Sequence, residues 1–137
     1  MDFQLDSRLS SDCTVLGELP SGELLLLHNN AAVVWFIIVP KTDKTELFEL
    51  PPEVQSALLE QVNLLSAHLK EQHHCDKINI AAIGNIVSQL HIHIIGRFKE
   101  DPYWPGVVWG QPTTKSWSEA ELQNLTGKLQ AKQIISG

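Results

Sequence analysis

Cysteine is scarce in this chain. Cys13 and Cys75 are the two in 137 residues and make no Cys-x-x-Cys spacing, so neither a disulfide framework nor a zinc ribbon is encoded and free thiols are expected. Basic residues are also few: ten Lys and Arg against sixteen Asp and Glu leave a formal net charge of −6. That balance excludes partners held by general phosphate neutralisation, duplex nucleic acid first among them, but not a small nucleotide in a local pocket. Long apolar runs are missing too. The longest, Ala31 to Pro40, is strand-sized, well short of the roughly 20 residues of a spanning helix, so no membrane partner is expected. The opening residues, Met1-Asp2-Phe3-Gln4-Leu5-Asp6, lack the basic patch and apolar stretch of a secretory leader. The expectation is a soluble, cytoplasmic chain.

What is present is a core. With 43% apolar and 19% charged residues, residues 1–137 read as one domain, long enough to bury a proper interior. Residues 1–12 are polar, with Leu5 and Leu9 at helical spacing. Leu16 to Leu19 and Glu23 to His28 flank the turn signal Pro20-Ser21-Gly22. Val33 to Val39 is β-branched and aromatic, a strand stopped by Pro40. Pro51-Pro52 opens a helix whose apolar stripe, Val54, Leu58, Val62, Leu65 and Leu69, runs for about five turns. Lys77 to Ile83 and Gln89 to Ile95 read as further strands, separated by Gly84-Asn85. A Pro- and Trp-rich loop spans Asp101 to Pro112, and Ser118-x-x-Glu121 is a capping box before a last helix through Leu122, Leu125 and Leu129. About five strands around one long helix make an α+β class with an antiparallel sheet.

The informative stretch is Gln89-Leu90-His91-Ile92-His93-Ile94-Ile95. On a strand, alternate residues share a face. Leu90, Ile92 and Ile94 would enter the core under the long helix, leaving Gln89, His91 and His93 as a polar row on the other face. Three readings fit that row: a chemical site, two half-exposed histidines on a solvent face, or an H-x-H metal pair needing further ligands from elsewhere.

The same residues resemble the histidine triad (HIT) motif, His-φ-His-φ-His-φ-φ with φ apolar, in a variant whose first histidine is Gln89. The likeness extends to Phe36-Ile37-Ile38-Val39-Pro40-Lys41, similar to the family strand ending in Pro-Lys or Pro-Arg. It continues in Asp101 to Gly110, similar to the tail of bacterial HIT proteins described as diadenosine tetraphosphate hydrolases. The resemblance implies a HIT-like sheet with one long helix and a C-terminal helix. It also implies a homodimer acting on phosphoanhydrides of adenine nucleotides or dinucleotides through a nucleotidyl-histidine, the alternative being a non-catalytic nucleotide-binding or signalling dimer of the same fold.

By position, His91 would be the nucleophile and His93 would orient the phosphate. Gln89 would donate through its amide but could not serve as an acid near neutral pH. Asn79, Gly84 and Asn85 match the family's phosphate side, and Asn29 matches its ribose-gripping residue, with Asn30 as competitor. No cofactor or metal is implied, and any divalent cation would accompany a polyphosphate substrate. Departures from the family pattern fall at Ile86, where a hydroxyl residue is usual, and at Trp35 and Asp43, where histidines are common; Asn85 or Ser88 could replace the missing hydroxyl. Lys41, Arg97 and Lys99 are the cations expected near the site. Trp104 and Trp109 are candidates for stacking on a base or for packing at a dimer interface. His73-His74-Cys75 reads as a polar helix end.

Overall fold

The computed structural model describes residues 3–136. A short helix α1 (Ser7–Asp12) is capped by Asp6, whose carboxylate accepts from the Arg8 amide at 2.8 Å. Strands β1 (Cys13–Leu19), β2 (Gly22–Leu27) and β3 (Val34–Pro40) form an antiparallel meander. After a single 3₁₀ turn at Leu47–Glu49 come helix α2 (Pro52–Gln72), strands β4 (Lys77–Ala81) and β5 (Ile92–Arg97), and helix α3 (Glu119–Ala131). The five strands make one antiparallel sheet in the order β1-β2-β3-β5-β4.

Strand alternation divides the interior in two. Leu24, Leu26, Phe36, Ile38, Ile92 and Ile94 face α2, meeting its stripe of Leu58, Val62, Leu65 and Leu69, with Leu125 and Leu129 of α3 completing that layer. The opposite face carries Leu25, Trp35, Ile37 and Ile95, covered by Leu9, Tyr103 and Val108. Helix α2 opens with Pro at its first position and is 21 residues long. The Ser118–Glu121 box caps α3 reciprocally. At Gly96 a Cβ would lie 2.4 Å from the Cys75 sulfur, so only glycine lets the α2–β4 connection close onto β5.

Several boundaries differ from the sequence reading. β4 ends at Ala81 rather than Ile83, and β5 begins at Ile92, so Gln89 to His91 precede the strand instead of opening it. The Gln89 side chain instead bonds to the backbone of Gln4 and Asp6 in the N-terminal segment. His73-His74-Cys75 is not simply a polar helix end. Cys75 is buried in the α2-side core, where burial, then Asp76, push its thiol up to about 11. No helix among the described residues is long and apolar enough to cross a membrane.

Candidate active site

His91 and His93 do share a face. Their ring centroids lie 5.0 Å apart at 70°, and each residue is 7% exposed. They line a cleft of about 540 Å³ whose walls also include Arg8, Leu9, Trp35, Ile37, Gly84 and Trp109. The alternation that buries Ile92 and Ile94 under α2 aims His93 here, opposite Ile37 of β3 and Ala81 of β4.

Hydrogen-bond partners set the protons. His91 Nδ1 lies 2.7 Å from the Gln89 carbonyl. A carbonyl only accepts, so in neutral His91 the proton sits on Nδ1 and the Nε2 lone pair is free. His93 is the reverse: the Trp35 indole Nε1–H, a donor only, reaches His93 Nδ1 at 2.9 Å, which places the proton of neutral His93 on Nε2. Adjacent imidazoles are thus held in opposite tautomers, one offering a lone pair and one a donor. Burial first, then the nearby His91, push His93 down to about 4. Trp109 packs edge-on against both His93 (5.3 Å) and Trp35 (5.8 Å), closing that side of the pair.

Gln89 leaves the row. Its Oε1 accepts from the Asp6 amide at 2.8 Å and its Nε2 donates to the Gln4 carbonyl at 2.9 Å. The side chain therefore fastens the N-terminal segment, which in turn supplies Arg8, Leu9 and Asp12 to the cleft. This wall was absent from the sequence reading: Leu5 and Leu9 at helical spacing mark a short helix, but spacing alone does not say where it docks.

The remaining expected residues divide. Gly84, at φ +69°, and Asn85 line the cleft. Asn30 does not reach it: it is 2% exposed, donates to the Tyr103 hydroxyl at 3.0 Å and accepts from Thr114 Oγ1 at 2.9 Å. Asn29 is half-buried outside the cleft lining, its Oδ1 without a partner among the described residues. Asn79 lies on the histidine face of β4, opposite Ile95, and accepts from Arg97 Nη1 at 2.9 Å.

Lys41 pairs with Glu18, leaving Arg8 as the cation of the cleft lining. Arg97 is buried, with Nε and Nη2 on the two Asp101 oxygens at 2.9 and 3.0 Å and its guanidinium 5.6 Å from the Trp104 ring centre. Burial by itself would raise the Asp101 carboxyl. The Arg97 bond, together with the Phe98 and Tyr103 amides, outweighs this and holds it below its ordinary value. This ion pair anchors the loop that delivers Trp109. The Arg97–Asp101 pair escaped the sequence reading because its i,i+4 spacing falls in the turn after β5 and not in a helix.

Among the described residues, no group of three or more His, Cys, Asp or Glu side chains is arranged to hold a metal ion.

A five-stranded antiparallel sheet with one long helix on one face and an oriented histidine pair on the other defines the histidine-triad fold. Comparison with known proteins agrees: the HIT domain profile matches residues 8–100, and the chain belongs to the HIT domain family. A histidine triad protein from Sinorhizobium meliloti 1021 is 40% identical with a TM-score of 0.89, covering 94% of this chain and 96% of that one. Another from Bradyrhizobium japonicum is 38% identical with a TM-score of 0.91, covering 96% and 98%. Adenylylsulfatase HINT3 of Arabidopsis thaliana is 34% identical over 115 residues, 72% of this chain; the chain spans 58% of that relative's length.

Proposed function

We propose that this protein is a nucleotidyl hydrolase that cleaves an anhydride at the α-phosphate of an adenine nucleotide through a nucleotidyl-His91 intermediate. The observation that carries the reading is the His91 tautomer: Nδ1–H is tied to the Gln89 carbonyl at 2.7 Å, leaving Nε2 as an in-place nucleophile. Covalent catalysis of this kind divides one hard displacement into two easier ones. His93 donates from Nε2 to a non-bridging phosphate oxygen, and Gly84 and Asn85 border the phosphate from the turn after β4. The apolar wall of Leu9, Leu27, Ile37 and Val87 suits a base. The reaction uses no cofactor, and a divalent cation would arrive only with a polyphosphate substrate.

A relative named an adenylylsulfatase makes adenylyl sulfate the first substrate to try, beside diadenosine polyphosphates. AMP release that survives EDTA on adenylyl sulfate, with an acid-labile adenylyl group trapped on His91 by rapid quench, is the expected result. Tight AMP binding without turnover of any of these would instead make the protein a nucleotide-binding module.

The proposed assembly is a homodimer. The β1 edge is bridged by Ser136 at Glu18, whereas β4 has no further strand partner among the described residues. Beside that open edge, the exposed Ile80, Leu59 and Leu47 form an apolar surface. Light scattering should give twice the chain mass at micromolar concentration; a monomer would overturn the assignment.

A further inference from the structure

Trp35 stands where a proton-carrying residue would couple to His93, and an indole cannot carry one. We propose that Trp35 is a positioning residue that fixes His93 as a neutral Nε2–H donor. The site then gives no proton to the departing group and acts on nucleotides whose α-phosphate bears a weakly basic leaving group. This rests on the nucleotidyl-His91 reading and specifies its substrate class.

The geometry sets the constraint. Trp35 and His93 lie on adjacent strands, β3 and β5, and the indole Nε1 approaches His93 Nδ1 at 2.9 Å. Protonating His93 at Nδ1 would set two N–H donors against each other and leave one unsatisfied in a site where both residues are 7% exposed. Trp109 blocks the adjustment that would separate them, since it packs against both rings. The other charged or titratable groups facing the cleft are His91 before β5, Arg8 and Asp12 from α1, and Cys13 from β1. A guanidinium does not release its proton, and burial, then Asp12, push the Cys13 thiol up to about 12. Asn85, the side-chain amide in the lining, does not release a proton either, and Gln89 is occupied by Gln4 and Asp6.

The chemical step balances without an acid. His91 Nε2 forms a bond to phosphorus as the bond from phosphorus to the leaving oxygen breaks. The electron pair departs on that oxygen as an anion, and no proton is transferred. Water then bonds to phosphorus, His91 Nε2 leaves with its pair, and the water proton passes to solvent. A leaving group that is stable as an anion, such as sulfate, polyphosphate or nitrophenolate, completes the first half unaided. A phenolate or an amine does not.

The test uses single-turnover rates on adenosine 5′-phosphate aryl esters, nitrophenyl through unsubstituted phenyl, together with ¹⁵N spectra of the histidine rings. In the wild type, His93 should show protonated Nε2 and bare Nδ1 down to about pH 5. Phenyl esters should react roughly 10²–10⁴-fold more slowly than nitrophenyl esters, the range that an acid catalyst commonly supplies. Trp35→Phe keeps an aromatic ring and removes the donor. It should let His93 titrate nearer an ordinary imidazole and shrink the phenyl penalty below pH 6. An active wild type with equal rates along the series, or His93 protonated on Nδ1 at pH 7, overturns the proposal and leaves the hydrolase reading standing. Both wild-type measurements stand even if Trp35→Phe does not fold. No transfer from any ester, with the His93 tautomer as stated, overturns the hydrolase reading and the leaving-group assignment with it.

Discussion

Replacing Gln89 with Ala separates its two roles, the catalytic one suggested by the triad motif and the fastening one made by its hydrogen bonds. The side chain makes two bonds, to the Asp6 amide at 2.8 Å and the Gln4 carbonyl at 2.9 Å. The first is part-buried and the second exposed, so each is worth about 0.5–1.5 kcal/mol at most and the pair about 1–3 kcal/mol. The loss falls on the docking of residues 3–12, whose other attachments include Phe3, Leu5 and Leu9 against the histidine-side core and the bond from the His28 amide to the Asp12 carbonyl at 3.2 Å. It should therefore appear as local opening rather than global unfolding. That energy corresponds to a roughly 5- to 150-fold rise in the opened population of the segment. Hydrogen exchange at the amides of Asp6 and Ser10, the second of which is bonded to the Asp6 carbonyl, reads it directly. Because Arg8, Leu9 and Asp12 line the cleft, KM should take the larger share of any activity loss. Unchanged exchange in residues 3–12, with kcat down by about 10² or more, would show that Gln89 acts on the substrate and that the fastening argument is wrong.

His91→Asn should keep the fold, since Leu90, Ile92 and Ile94 retain their packing. It should lose several powers of ten in kcat while nucleotide affinity weakens by about 0.5–1.5 kcal/mol; near-wild-type turnover would eliminate the covalent route. Asp101→Ala strands Arg97, 2% exposed, without its counter-ion. It should cost about 3–5 kcal/mol in denaturant unfolding; a loss under about 1 kcal/mol would mean the guanidinium finds water. His93 and His73 are both lowered to about 4 from 6.5, each by burial first and then by neighbouring positive charge. The unfolded chain therefore binds more protons than the folded one between those values. Stability should be full above pH 6.5 and fall as pH drops toward 4, by up to about 1.4 kcal/mol per pH unit for His93 and by less for the more exposed His73, whose charge solvent screens. Replacing either with Phe should flatten the slope, and a pH-independent midpoint across that window would refute the assignment.

Local pattern and tertiary context divide this protein cleanly. Whatever depends on a residue's near neighbours was legible along the chain. The α2 stripe from Val54 to Leu69 announced a helix, Ser118 and Glu121 announced the start of α3, and β-branched residues before Pro40 announced β3. Alternation around His91 and His93 placed both histidines on the face away from the helix, because side-chain direction on extended backbone follows from period alone. What it could not determine was which polar atom meets which. Trp35 finds His93 across 58 residues, Asn30 finds Tyr103 across 73, and Gln89 finds Asp6 across 83. Those pairings decide the His93 tautomer, remove Asn30 from the list of ligand contacts and give Gln89 a fastening role that its place in the triad motif does not announce. Each depends on strand register and on where a loop closes, and residue type specifies only that a buried donor must find an acceptor, not which one.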